Sequence, residues 1–247
     1  MIRKFAFSGL TALALTLTAC GSGGGDVPVS GEPLEKVAAP AGQSWAEVVS
    51  ETDRGGYKMG NPEAALKLVE YGAITCPGCA QFHVQSKDEL HEMVESGVVS
   101  MEFRPFLVHG IQDVPGFLLA KCNGPEAFFG LTDQLFTKQN SWLGRLSQLS
   151  DAERQSVGSM EPAQVIKFLA DKMDLVNFVK PLGVSEDAAN LCLADTKAFE
   201  TLVAQSEKSQ KDDKVAGTPS FRLNGADMNA GNWNTVKASL KNAGARK

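Results

Sequence analysis

The chain has 247 residues and a formal net charge of −5, with 43% apolar and 21% charged residues. This is ordinary globular usage, which excludes a disordered chain, a coiled coil and a collagen, and it offers no basic excess for nucleic acid. Five cysteines are too few for a disulfide scaffold standing in for a core.

Arg3 and Lys4 precede an uncharged run from Phe5 to Ala19. The run is shorter than the ~20 residues a membrane-spanning helix needs, and its flanks fit a secretory signal. Leu17-Thr18-Ala19-Cys20 resembles the bacterial lipobox. That resemblance implies that residues 1–19 are a lipoprotein signal peptide and that Cys20 becomes the lipidated first residue of the mature chain. Several acyl chains on one residue make a stable anchor. Residues 20–43 are dense in Gly, Pro and Ser and predict a flexible tether.

Ser44 to Ser50 predicts a short amphipathic helix, and Asp53 to Pro62 a turn region with three glycines. Ala65 to Tyr71 (ALKLVEY) predicts a buried strand. Pro77 to about Glu95 predicts a helix stopped by Gly97. Val98 to Val108 predicts a second strand, with Pro105 placing it at an edge or at a bulge. From Asp113 to about Lys211 apolar residues recur at three- and four-residue spacing, predicting helices near 113–122, 125–140, 162–174 and 195–211. Ser220 to Leu223 and Ala226 to Asn229 predict a hairpin across Asn224-Gly225. Asn232 to Ala243 predicts a closing helix.

Cys76-Pro77-Gly78-Cys79 follows the first long strand and opens its helix. Unpaired N–H groups and the dipole at a helix start favour a thiolate at Cys76. Pro77 suits the first helical position, where its missing N–H is no loss. A thiolate there, with a second thiol two residues on, is the equipment of disulfide exchange. A structural zinc site would want four Cys or His ligands. The chain has no second CxxC or HxxxH pair, and its three histidines are scattered. His83 reads as a helix-surface imidazole that could also line an active-site rim, His91 as solvated, and His109 as structural. Trp45, Trp142 and Trp233 read as packing anchors, and Ser206 to Lys214 as a wet helix face and loop.

Residues 56–83, GYKMGNPEAALKLVEYGAITCPGCAQFH, resemble the DsbA-like thioredoxin-fold oxidoreductases, in particular their membrane-tethered alphaproteobacterial branch. Gly217-Thr218-Pro219-Ser220-Phe221 resembles that family's cis-proline loop, and the helical block resembles its insertion. The resemblance implies an α/β thioredoxin fold over residues 44–112 and 212–247, with a helical insertion over 113–211. It implies that Cys76 attacks and a buried Cys79 resolves. Pro219 would be cis beside them, with the Thr218 backbone presented to a bound peptide. Glu70 matches the family's buried acid, which would move the proton of the resolving thiol through water. Some family members carry a second disulfide in the helical block, which implies a Cys122–Cys192 pair among the three pairings four cysteines allow.

The implied activity is exchange of a CxxC disulfide with cysteines of exported proteins, as a dithiol oxidase. A disulfide reductase or isomerase, or a non-catalytic holdase or metal-binding module, are the alternatives. No metal or organic cofactor is implied. The implied partners are cysteine-containing exported proteins, a membrane redox protein and the membrane itself, with no nucleic acid. The implied location is the cell envelope, facing the periplasm. A monomer is implied, because residues 20–44 are too short and Gly-rich for the dimerisation domain of the dimeric isomerases. The family's strong oxidants carry His where this chain has Gly78. Loss of that dipole predicts a potential between about −120 mV and about −270 mV, the values of the strong oxidant and of thioredoxin.

Overall fold

A computed structural model describes residues 31–246. The lipobox, Cys20 and the signal segment lie outside the described residues. Part of the predicted tether, residues 31–43, is described, and it is held against the body. The Gly31 amide donates to the Asn242 carbonyl, Leu34 to Gly244, and Val37 to Ser96. The Trp45 indole donates to the Val37 carbonyl at 2.7 Å. Leu34 and Ala39 supply the apolar contact that makes this docking favourable.

Six strands form one mixed sheet: β1 (Val49–Glu51), β2 (Tyr57–Gly60), β3 (Leu66–Gly72), β4 (Val99–Pro105), β5 (Ser220–Leu223) and β6 (Ala226–Met228), in the order β1-β2-β4-β3-β5-β6. β3 and β4 pair in parallel, and the other pairs are antiparallel. The β3–β4 crossover is α1 (Pro77–Glu95), long enough to return the chain for parallel pairing.

Two expectations are corrected near the N-terminus. Ser44 to Ser50 is not a helix: Trp45–Glu47 makes one 3-10 turn, and Val49–Glu51 then runs as an edge strand. The turn region conceals β2, four residues that follow Gly55-Gly56 and end at Gly60. β4 is likewise neither an edge nor bulged. It lies between β2 and β3 with continuous register from Leu66↔Val99 to Gly72↔Pro105. Pro105 is tolerated because β2 ends opposite Phe103, so its missing N–H takes nothing from that ladder.

Helices α2 (Val114–Ala120), α3 (Pro125–Thr137), α4 (Gln139–Leu143), α5 (Asp151–Val157), α6 (Pro162–Lys172), α7 (Leu175–Val179), α8 (Glu186–Leu193) and α9 (Thr196–Asp212) all fall between β4 and β5. This is the thioredoxin fold with an inserted helical block. The block shares one apolar cluster with the active-site turn: Ile74, Cys76 and Cys79 pack with Phe117, Phe128, Phe136 and Trp142. α2 approaches closely because Gly116 has no side chain; a Cβ there would lie 2.8 Å from Ile74. α10 (Trp233–Asn242) covers the sheet beside α1, placing Trp233, Val236 and Leu240 with Leu68, Phe82 and Phe221. Alternation along β3 puts Leu66, Leu68 and Glu70 on one face, and Val69 and Tyr71 on the other, with Phe106 and Val215.

Candidate active site

Cys76 is the N-cap of α1, with extended backbone (φ −78°, ψ 120°). Its sulfur accepts from the Cys79 amide at 3.4 Å, taking one of the four orphan donors of the helix start. It also lies 3.3 Å from the Thr218 carbonyl oxygen, to which the protonated thiol donates. The Thr218 hydroxyl is buried without a hydrogen-bond partner. The hydrogen bond with the Cys79 side chain is the largest influence on the Cys76 thiol. Burial opposes it, and the Thr218 side chain and the Cys79 and Gly78 amides add to it. The net effect lowers the thiol from 9.0 to about 5, so Cys76 is a thiolate at neutral pH.

Cys79 is fully buried. Burial, the hydrogen bond with Cys76 and the negative field of Glu70 push its thiol well above the ordinary range. One cysteine is therefore held as the anion with 7% of its surface exposed, and its neighbour is protonated and fully buried. Both are free thiols here. That division of labour is the one a nucleophile and a resolving thiol require.

The Thr218–Pro219 peptide is cis. Gly78 leaves little room beside it: a Cβ there would meet the Pro219 Cδ at 3.1 Å and the Cys76 sulfur at 3.7 Å. Gln139, on α4, reaches into the active-site turn. Its Nε2 donates to the Ile74 carbonyl at 2.9 Å and to the Cys76 carbonyl at 3.0 Å. Buried Asp113 braces the same turn. It accepts from the Thr75 amide at 3.0 Å, the Thr75 hydroxyl at 2.6 Å and the His109 amide at 2.9 Å. Burial raises the Asp113 carboxyl above its ordinary value against these bonds. Because the single Thr75 hydroxyl proton goes to Asp113, the His109 Nδ1, 2.7 Å from that oxygen, is the donor of that contact.

Glu70 is completely buried, between Leu68 and Tyr71 on β3. An unpaired carboxylate there would be costly, and His83 supplies the partner: its Nε2 lies 3.0 Å from Glu70 Oε2. His83 is thus not a surface imidazole, as its sequence position had suggested. Its side chain is 10% exposed and stacks on Phe136 at 4.3 Å. Burial alone would lower the His83 pKa. The Glu70 charge and hydrogen bonds to Asp133 and Glu70 outweigh it, raising it to about 9. The signal was present in the spacing: Cys79 and His83 are four residues apart and share a face of α1 over β3. No comparable spacing links Gln139, Asp113 or His109 to the motif, since each arrives from a different element.

Cys122 and Cys192 form a disulfide between the end of α2 and α8, with Cα atoms 5.8 Å apart. It joins two parts of the helical block, and Cys122 packs against the apolar cluster that holds the active-site turn. Among the described residues no group of three His, Cys, Asp or Glu side chains comes together as a metal site would need.

A strand–CxxC–helix unit facing a cis-proline loop defines a disulfide-exchange site on a thioredoxin fold. The family model described as Thioredoxin matches residues 52–242. A Rickettsia bellii protein, assigned by its name as a protein-disulfide oxidoreductase, is 27% identical over 80% of this chain and 68% of its own length. A Rickettsia typhi protein of the same assignment is 26% identical, over 72% of this chain and 58% of its own. Among solved structures, a protein-disulfide isomerase from Novosphingobium aromaticivorans superposes with a TM-score of 0.70 at 26% identity, covering 75% of this chain and 95% of that one. Wolbachia pipientis alpha-DsbA1 superposes at 0.59 and 19% identity over 76% and 90%, a likeness of fold. The chain belongs to the thioredoxin family, and the relatives it matches are named as protein-disulfide oxidoreductases.

Proposed function

We propose that the protein is a lipid-anchored dithiol oxidase of the bacterial cell envelope, facing the periplasm. It works as a monomer on cysteine-containing exported proteins, and a membrane redox partner resets it. In the proposed cycle a substrate thiolate attacks Cys76 Sγ in the Cys76–Cys79 disulfide. That S–S bond breaks, and Cys79 leaves and takes up a proton. A second substrate thiolate then attacks the substrate sulfur of the mixed disulfide, closing the substrate disulfide and releasing Cys76 as thiolate. Two electrons pass from substrate to the cysteine pair, and the membrane partner removes them.

The observation that carries this reading is the low proton affinity of Cys76 at the α1 N-cap, against the high one of Cys79 beneath it. A stable thiolate is a good leaving group, which favours giving a disulfide away over keeping it. Thr218 and Pro219 would hold the substrate backbone, and Glu70 would exchange the Cys79 proton. The test is oxidative refolding of a reduced exported protein, with insulin reduction in parallel. Cys76→Ala abolishes both; activity that survives the change rejects the assignment. Alkylation trapping in growing cells then sets the direction. A pair held mostly as disulfide supports the oxidase, and a pair held mostly as dithiol supports a reductase or isomerase. The anchor is tested by Cys20→Ser, which moves the protein from the membrane to the soluble fraction.

A further inference from the structure

Each turn of disulfide exchange moves one proton onto or off the Cys79 sulfur. Cys79 and Glu70 are both fully buried, and a substrate bonded to Cys76 covers the side on which Thr218 and Pro219 stand. The proton needs a route that does not cross that contact. Behind α1 there is one. A groove of about 640 Å³ runs between α1 and α3 over β1 and β2, and His83 and Asp133 lie in its wall. Cys76, Cys79, Thr218 and Pro219 do not line it.

We propose that His83 and Asp133 form a proton port that joins Glu70 to this groove, so that Cys79 is served from the face opposite the substrate. The inference rests on the disulfide-exchange reading and assigns it a positioning residue, His83, which acts through Glu70. The chain of contacts is continuous on its outer side. Glu70 Oε2 meets His83 Nε2 at 3.0 Å, and His83 Nδ1 meets Asp133 Oδ1 at 3.5 Å. Exposure rises along it, from none at Glu70 to 10% at His83 and 28% at Asp133. The other Glu70 oxygen, Oε1, is buried without a hydrogen-bond partner.

The charges that face His83 are Glu70 from β3 and Asp133 from α3. Lys87, on α1, holds Asp133 at 3.5 Å. β4 contributes only the Phe103 ring, 5.7 Å away, and α3 adds Phe136. Asp88, His91, Glu92 and Glu126 line the remainder of the groove. When Cys79 is released as a thiolate it takes a proton from Glu70, and His83 Nδ1 takes one from the groove by way of Asp133, so that the imidazolium again faces a carboxylate. When Cys79 must attack, Glu70 takes its proton and the imidazolium gives its Nδ1 proton back through Asp133 to the groove.

The test uses the reduced mature chain and oxidised glutathione, followed by rapid acid quench and mass spectrometry. In the first step Cys76 attacks, breaking the glutathione disulfide and forming a mixed disulfide. In the second, Cys79 loses its proton and attacks Cys76 Sγ, expelling the second glutathione. General acid–base groups contribute about 10²–10⁴-fold. His83→Gln, which keeps a donor to Glu70, should slow the second step at pH 7 by at least ~10-fold and leave the first within about twofold. Asp133→Asn, nearer the surface, should slow the second step by a smaller factor. In His83→Ala, added imidazole entering through the groove should restore the second step in proportion to its concentration. The port is overturned if the second step of His83→Gln stays within about twofold of the parent. It is equally overturned if both steps slow alike, or if imidazole restores nothing. Failure of the first step in the parent chain would instead reject the exchange chemistry itself.

Discussion

Gln139 and Cys76 come from different parts of the chain, and the Gln139 amide donates to the Cys76 carbonyl at 3.0 Å while also holding Ile74 at 2.9 Å. The helical insertion thereby fixes the backbone of the CxxC turn. Without that amide the Ile74 carbonyl keeps no donor from this side, although Ala80 still bonds the Cys76 carbonyl. Gln139→Ala should therefore destabilise the protein by about 1–3 kcal/mol, the penalty for a buried group left unpaired. Urea denaturation measures it. The Cys76 titration should move upward with it, because the turn that aims the Cys79 and Gly78 amides at the sulfur loosens.

Gly78 stands where a side chain would touch both Pro219 and the Cys76 sulfur. Gly78→His places an imidazole dipole beside the thiolate and stabilises the reduced form. Its redox equilibrium with glutathione should shift toward the oxidising side, toward about −120 mV from the more reducing value expected of the parent. The 3.1 Å approach to Pro219 needs a shift of only a few tenths of an ångström. An unchanged or more reducing equilibrium constant would show that the dipole at this position is immaterial.

The Glu70–His83 pair ties stability to pH. The folded-state pKa of His83 is raised, from 6.5 to about 9. The stabilisation is thus complete below about pH 6.5 and is lost as pH rises through about 9. Denaturation of the parent and of His83→Gln across this window should show a stability difference that shrinks with rising pH. A difference that is constant or grows would mean that the imidazole is neutral in the fold.

The Cys122–Cys192 disulfide closes a separation of 70 residues. In the chain-entropy model such a loop contributes roughly 4 kcal/mol. The double variant Cys122→Ala/Cys192→Ala should lose stability on that scale in urea, yet keep insulin reduction at the parent rate, since the bond joins two parts of the helical block and is no part of the Cys76 turn.

The parts of the site that lie close in sequence are legible in the sequence alone. Cys76, Pro77, Gly78 and Cys79 sit on one strand-to-helix turn, and Glu70 lies six residues upstream on the strand below it. The hairpin across Asn224-Gly225 was equally plain, because few residue pairs other than these accept its positive φ angles. What escaped was contact across elements. Gln139 and Asp113 look like ordinary polar residues of a helical block until folding brings them to the turn. His83 was misplaced for a different reason: α1 is flanked by α3, so the face it occupies is interior, and only the packing of Phe136 and Asp133 reveals it. β2 is hidden by its shortness and by the glycines at its end and just before it, and Pro105 does not fix the position of β4 because strand ends and strand edges excuse a proline equally well.

The central claim is that the Cys79 side chain and the amides at the start of α1 together hold Cys76 as an anion. Its most direct test is the rate of Cys76 alkylation by iodoacetamide across pH 3 to 10, on the reduced chain, with Cys76→Ser as the blank. The account predicts a titration with a midpoint at about 5. A midpoint at or above the ordinary thiol value of 9.0 would contradict it.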